Sequence, residues 1–426
     1  MMSFLKQIIS SSIFKNLGVL VSGTFIAQLV VIVFQIFLRR IYSPEDFGAF
    51  AVYMSIVGIL ATVVSLRYEQ AIILPRSSEV GQNILKLSVV IAFAFSIILL
   101  LFFLFFGNIA VEITNFPVKY SNWLIIIPLS IFVFSVSQSL NYYLIRQKMF
   151  AVSSTNKIIR RSFEGFFQIS IGKFGYAAGL FIGDLIGQGS VIVRSLLKIK
   201  SGFSFTLSLD EMKSAAVRYK DFPVKNGIPA LLNSLSLLLP IIIINSKFSS
   251  EVTGYFDLAR MILIIPLSLI TASMSQVLLQ SFAEKRNSRK SIVKNATGTF
   301  ISLLVISLFF ILIIKFFGEW LFGFVFGSQW SNSGMYASLL VWAFALKFIV
   351  SPFNVIFTVF EKIGILSVWQ MFYFILILLL YFLKFNTIID FLKFYVFIEV
   401  VSYTVAAMLN IFLIIKYEAN IKKTDK

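Results

Sequence analysis

The sequence contains no cysteine and no histidine. Without cysteine there is no disulfide, no thiolate metal site and no thiol nucleophile. Without histidine the commonest metal ligand and the usual proton shuttle near neutral pH are missing as well. Any proton carried near neutrality must then ride on a carboxylate or a lysine shifted by burial. Charge is scarce: 13% of residues are charged, against about 25% in an ordinary soluble domain. Acids are the rarer sign, 19 against 37 lysines and arginines. No glycine-rich phosphate loop is present, so ATP is not expected as a direct energy source and no cofactor is expected.

What fills the 426 residues instead is apolar: 58% are hydrophobic and 16% aromatic, and the mean hydropathy is +0.92. This excludes an ordinary soluble enzyme and a disordered chain. The apolar residues fall in blocks of about 20, the length that crosses a bilayer as a helix. The fold class expected is all-α, a polytopic membrane protein with about 12 transmembrane helices. The spans read as 17–38, 47–66, 85–106, 123–144, 158–173, 176–197, 226–245, 253–279, 292–316, 335–359, 365–385 and 391–415. The fifth and sixth are the weakest, because Glu164, Lys173 and Asp184 interrupt a glycine-rich stretch. The first run lacks a small-residue cleavage site and reads as a retained span rather than a signal peptide.

Lysine and arginine placement sets the orientation. The two termini and the loops after even-numbered spans hold 27 of the 37, counting charges at span ends; the loops after odd-numbered spans hold 8. Lys157, Arg160 and Arg161 enter this count as charges around the start of span five. Both termini are therefore expected on the cytoplasmic side of the membrane. The net charge of +18 is then mostly a topology signal, and nucleic acid is discounted as a partner. The longest connection, 198–225, lies on the same side; within it Asp210 to Lys220 reads as a short interfacial helix, and residues 2–15 have a similar amphipathic character. No segment outside the spans is large enough for a soluble core, so any activity must sit among the helices.

This connection divides the chain into an N-terminal lobe (1–197) and a C-terminal lobe (226–426), six spans each. The segment entering span two, Ser43-Pro44-Glu45-Asp46-Phe47-Gly48-Ala49-Phe50, matches Ser249-Ser250-Glu251-Val252-Thr253-Gly254-Tyr255-Phe256 at four of eight positions, at an offset of 206 residues. Two parallel repeats with substrate between them, moved by rocking one half against the other, account for both the match and the span count.

Ionisable residues inside spans are costly and mark sites. Asp257 and Arg260 share a face of span eight by their i, i+3 spacing; they are either a cavity pair that binds an anion or a pair that locks the helix to a neighbour. Lys347 lies mid-span in span ten with no acid one turn away, and Glu399 in span twelve is both its candidate partner and the leading candidate for a titrating carboxylate. Arg67 and Glu69 close span two on the cytoplasmic side, as topology and capping residues or as an inner gate. Arg39 and Arg40 end span one against the charge bias, facing either a cavity or outer headgroups.

The run Arg40-Ile41-Tyr42-Ser43-Pro44-Glu45-Asp46-Phe47-Gly48, followed by Arg67-Tyr68-Glu69-Gln70-Ala71-Ile72-Ile73-Leu74-Pro75, resembles the first hairpin of the polysaccharide-repeat-unit flippases. The resemblance continues with Tyr219-Lys220-Asp221-Phe222-Pro223 and Gly254-Tyr255-Phe256-Asp257-Leu258-Ala259-Arg260, with Pro266 following. It implies the fold of the multidrug/oligosaccharidyl-lipid/polysaccharide exporter superfamily, two six-helix lobes around a central cavity. It also implies a substrate: an isoprenoid (undecaprenyl) diphosphate-linked oligosaccharide, flipped for O-antigen or capsular polysaccharide synthesis, with membrane lipids, a polymerase and a chain-length regulator as partners. Arg40, Arg67, Arg260 and Lys347 are then the candidate substrate-binding residues, and Glu69, Asp257 and Glu399 the coupling or gating candidates. Arg40, Arg67, Glu69 and Arg260 fall on motif positions; Lys347 and Glu399 are read from membrane depth alone. Two other readings are a drug or cation exporter of the same superfamily, against which stands the lack of an acid inside spans one to four, and a membrane glycosyltransferase or polymerase. For the latter Glu45-Asp46 would be the acidic motif, but every outer loop is short.

Overall fold

A computed structural model of the chain describes residues 12–199, 203–204 and 206–424. Twelve long helices are found among them: α1 Ser12–Ile41, α2 Pro44–Ala61, α3 Ser78–Thr114, α4 Ile127–Arg146, α5 Phe150–Gly172, α6 Gly179–Ile199, α7 Ile228–Lys247, α8 Ser250–Asn287, α9 Val293–Phe326, α10 Ser331–Val350, α11 Ile363–Phe382 and α12 Ile388–Thr424. Each expected span has its helix. Eleven are long and apolar enough to cross a membrane; the exception is α5, which at 23 residues has the length but is polar along one face. The N-terminal amphipathic stretch lies outside the described residues up to position 11. Large apolar side chains stand exposed along the helices, among them Phe105, Phe309 and Phe316. A water-soluble monomer rarely shows apolar surface on this scale, whereas hydrocarbon accepts it.

Local chemistry places the helix starts and stops. Ser43 caps α2, its hydroxyl accepting from the Asp46 backbone N–H at 3.2 Å while the Asp46 carboxylate accepts from the Ser43 N–H at 2.9 Å, and Pro44 sits in the first turn, where its missing N–H is not needed. Asp46 therefore serves the helix start, and Tyr120 donates to the same carboxylate; the reading of Glu45-Asp46 as a catalytic pair finds no support in this arrangement. Helices α2 and α8, which follow the two matching segments, begin at Pro44 and Ser250, at the same offset as the sequence match. The expected span 335–359 is broken: α10 stops at Val350, and Pro352 occupies a 3-10 turn before a short helix, Val355–Val359, because proline cannot donate the next helical hydrogen bond.

The chain forms two compact units, Met1–Ser234 with Asn245–Glu251, and Leu235–Ile244 with Val252–Lys426. In the first, α5 packs between α1 and α6, and α4 packs on α3 and α6. The expected interfacial helix is present as Leu209–Arg218, capped by Ser208. It docks on the N-terminal end of α3: Met212 and Ala215 are buried against a cluster that includes Ile84, Leu85 and Tyr143, Asn83 Nδ2 donates to Glu211 at 2.7 Å, and Lys86 Nζ donates to the Thr206 carbonyl at 2.7 Å. Burying Met212 contributes about 2 kcal/mol. In the second unit α10 packs against α9 and α12, and α11 against α12.

Because the chain has no cysteine, single cysteines can report sidedness without background. Lys213→Cys, on the docked helix, and Lys119→Cys, in the 3-10 segment Val118–Ile126, should react with an impermeant maleimide from opposite faces of sealed vesicles. Labelling of both from the same face would overturn the span order.

Candidate functional site

Helix α5 carries Lys157, Arg160, Arg161 and Glu164, spaced i, i+3, i+4 and i+7, so all four share one face. That face borders a cavity of about 260 Å3 formed by α1, α4, α5 and α6. Lys157, Arg160 and Arg161 line it together with Gln28, Gln138 and Gln188. Two of the cations meet acids. Arg160 Nη2 lies 3.3 Å from Asp184 Oδ1 on α6, whose side chain is 3% exposed. Arg161 Nη1 bonds both Glu164 oxygens, at 3.1 and 2.8 Å. Gln188 links the cluster to α4, its amide donating to Ser137 Oγ at 3.0 Å and accepting from the Arg160 guanidinium. Lys157 is different: its Nζ donates to a neutral partner, Thr24 Oγ1, at 2.8 Å. Three cations against two acids leave the cavity with one positive charge beyond its ion pairs. Two glycines make the approach possible. A Cβ on Gly183 would fall 2.4 Å from Gln168 Cγ, and one on Gly187 would fall 2.9 Å from the Arg160 carbonyl and from Glu164 Cβ.

Sequence reasoning misses this site. By composition Lys157, Arg160 and Arg161 are topology charges around the start of span five, and Glu164 and Asp184 are only interruptions. The helix begins at Phe150, eight residues before the expected boundary, so at about 1.5 Å per residue Lys157 lies roughly 10 Å and Arg161 roughly 16 Å along it. The signal that the sequence does hold is the helical spacing of the four charges combined with the weak hydropathy of that span.

The residues singled out from sequence are distributed as follows. Arg67 and Glu69 lie together on a second, smaller cavity of the first unit, with Arg67 Nη1 3.6 Å from Glu69 Oε1. The Ser65 hydroxyl donates to the same carboxylate. Arg40 is exposed at the end of α1, while its neighbour Arg39 is buried, donating from Nε to Gln35 Oε1 at 3.0 Å and stacking 3.5 Å from the Phe47 ring centroid. In the second unit Arg260 Nη2 donates to the Leu237 carbonyl at 2.9 Å, and Asp257 lies one turn before it on α8. Glu399, 2% exposed, accepts from the Tyr373 hydroxyl. Lys347 Nζ lies 5.2 Å from the Tyr403 ring centroid, and the Tyr373 and Tyr403 rings are 6.0 Å apart. The lysine and the carboxylate thus sit at two ends of one buried aromatic cluster.

Fold and site together define a polytopic helical membrane protein with ion pairs and an excess cation inside one compact unit. The chain belongs to the polysaccharide biosynthesis protein family, whose model matches residues 37–334. No curated protein sequence matches the chain. Among solved structures it is similar to the lipid II flippase MurJ in an inward closed conformation (13% identity, TM-score 0.74, covering 94% of this chain and 90% of that one). It is likewise similar to a multidrug resistance MATE family transporter of the MOP superfamily in an inward-facing conformation (14% identity, TM-score 0.73, 94% and 96%), and to the MATE multidrug transporter DinF-BH (20% identity, TM-score 0.63, 94% and 96%). At these identities the likeness is one of fold.

Removing one member of a buried ion pair costs about 3–5 kcal/mol, because the other charge is left uncompensated. Arg160→Met should therefore destabilise the detergent-solubilised protein strongly in thermal unfolding, and adding Asp184→Asn should restore most of the loss. An unchanged midpoint in Arg160→Met would show that the pair is not desolvated.

Proposed function

We propose that the protein is a flippase that moves an isoprenoid-diphosphate-linked oligosaccharide repeat unit from the cytoplasmic to the outer face of the inner membrane, for O-antigen or capsular polysaccharide synthesis. The observation that carries this reading is the positive charge of Lys157 beyond the two ion pairs, facing a cavity among membrane-spanning helices. An isolated charge at that depth is expensive and becomes favourable when an anionic group arrives to pair with it. A diphosphate linking sugar to lipid is such a group. Its sugars, whose hydroxyls hydrocarbon cannot satisfy, would travel through polar space while the isoprenoid tail stays in lipid. The family assignment supports a polysaccharide precursor, and the lysine and arginine bias supports cytoplasmic termini.

Arg67, Arg260 and Lys347 are proposed as further cationic contacts along the route, and Arg40 as a contact on the outer side. Glu69, Asp257 and Glu399 are proposed as coupling or gating acids, with proton or ion coupling of the transport by alternating access. A polymerase and a chain-length regulator would then receive the product. Drug export has the support of the MATE-like fold, but Asp184 and Glu164, the acids beside the cavity, are each engaged by an arginine, which disfavours a cationic drug there.

Deleting the gene in its source organism and profiling lipid-linked sugars in sided membrane vesicles tests the reading. Complete single repeat units should accumulate on the cytoplasmic face, and Lys157→Arg but not Lys157→Met should restore their export. Incomplete units, or complete units already outside, would sink the flippase reading.

A further inference from the structure

The second unit holds a cavity of about 290 Å3 between α9, α12 and the broken end of α10. Phe300 on α9, Ile411 and Ile415 on α12, and Phe353 in the 3-10 turn Ser351–Asn354 form its apolar walls. Phe300, Ile411 and Ile415 are exposed, so the cavity is a groove on the lipid-facing surface. Its walls are tied together where α9 begins and α12 ends. Glu418 accepts from the Ser291 hydroxyl at 3.0 Å and from the Ile292 N–H at 2.8 Å. The Tyr417 hydroxyl lies 3.1 Å from each of the Lys285 and Lys290 carbonyls. The groove is therefore formed before anything enters it.

One polar group breaks the apolar lining. Asn410 borders the groove and is 3% exposed. Its Nδ2 donates to Asn354 Oδ1 at 3.2 Å, while its own Oδ1 is buried with no hydrogen-bond partner. A buried acceptor left unpaired is destabilising, and hydrocarbon chains hold no donor to meet it. The donors that membrane amphiphiles offer are chiefly hydroxyl and ammonium groups. An ammonium is disfavoured here: no carboxylate lines the groove, and exposed Lys294 and Lys416 follow the groove residues Val293 and Ile415 in sequence.

We propose that this groove is a binding site for a neutral lipid alcohol, an amphiphile with an apolar chain and a free hydroxyl. The chain lies against Phe300, Phe353 and Ile411, and the hydroxyl donates to Asn410 Oδ1. An apolar pocket with one placed polar group fixes the orientation of such a ligand. Through the Asn410–Asn354 bond the occupant also braces the turn at which α10 breaks. The site is separate from the cationic cavity of the first unit and stands whether or not the flippase reading does.

Three probes of equal chain length test it on the purified full chain, by native mass spectrometry: tetradecanol, tetradecyl methyl ether and tetradecylamine. Tetradecanol should bind about tenfold tighter than the ether, which cannot donate, and tighter than the amine. Asn410→Leu should bring tetradecanol to the level of the ether. Ala296→Phe, which fills the groove from α9, should remove the tight binding of tetradecanol. Lys294→Gln should leave the alcohol-to-ether ratio unchanged. Equal binding of alcohol and ether to the wild type would overturn the site, and this comparison needs no variant to fold. A preference for the alcohol that survives both Asn410→Leu and Ala296→Phe would place it elsewhere on the protein. Tightest binding by tetradecylamine would overturn the neutral-alcohol assignment.

Discussion

A charge inside hydrocarbon must be matched or hydrated, and the organisation of the first unit follows from how α5 meets that demand. Four ionisable side chains on one helix would be intolerable facing lipid. Helix α5 therefore turns them inward, with α1 and α6 on its two flanks, and two of the three cations find carboxylates. One pair is internal to the helix, Arg161 with Glu164 at i, i+3; the other reaches across to Asp184 on α6. The cross-helix pair fixes the register of α6 against α5, and Gly183 and Gly187 lie on the same side of α6 because nothing larger fits there. Desolvation of such pairs often cancels their attraction, so they do not hold the bundle together. Their effect is to forbid arrangements in which α5 faces lipid.

The bundle itself rests on packing and on helix termini that are satisfied locally. Arg146, at the end of α4, donates to the carbonyls of Ile72, Pro75 and Ser77 at 3.1, 2.6 and 2.6 Å and so gathers the loop that follows Arg67 and Glu69. The docked helix Leu209–Arg218 seals the same end, where the Tyr68 hydroxyl donates to the Ala216 carbonyl at 3.0 Å. The strained turn at Leu66 and Arg67, with φ values of 52° and 64°, therefore lies between two elements that fix it from outside. Strain of this kind persists where the surroundings over-determine it.

Much of this is legible in the sequence, and the part that is not has a physical reason. Hydropathy reports the average of a helix, so the apolar spans can be read directly, whereas the role of Asp46 in the cap of α2 appears only in the structure. For α5 the same average conceals a segregated helix, apolar on one side and charged on the other, and charge counting then assigns its cations to a loop. Partner identity is harder still. Asp184 lies 24 residues from Arg160 in sequence, and nothing in the local pattern of α6 shows that it points at α5 rather than at solvent. Adjacent residues on a helix point about 100° apart, which is why Arg39 is buried on Phe47 while Arg40, the motif position, is exposed. Membrane depth alone places Lys347 and Glu399 well enough that they share one aromatic cluster, but the tyrosines between them carry no sequence signature.

The two acids also explain why a net charge of one, rather than three or none, suits the proposed function. With no carboxylate the empty cavity would hold three cations within a few turns of one helix, and their mutual repulsion would oppose folding. With a third carboxylate the cavity would be neutral, and an entering anion would have to displace a resident one before gaining anything. The observed count keeps the empty state foldable, and on the proposed reading Lys157, which donates to the neutral Thr24 hydroxyl, would be in place to meet an anion. The desolvation of that ammonium is already met in folding, so an anion would gain the interaction in a site organised before it arrives. On the same reading the two arginine pairs nearby would share the second charge of a diphosphate without a carboxylate having to leave.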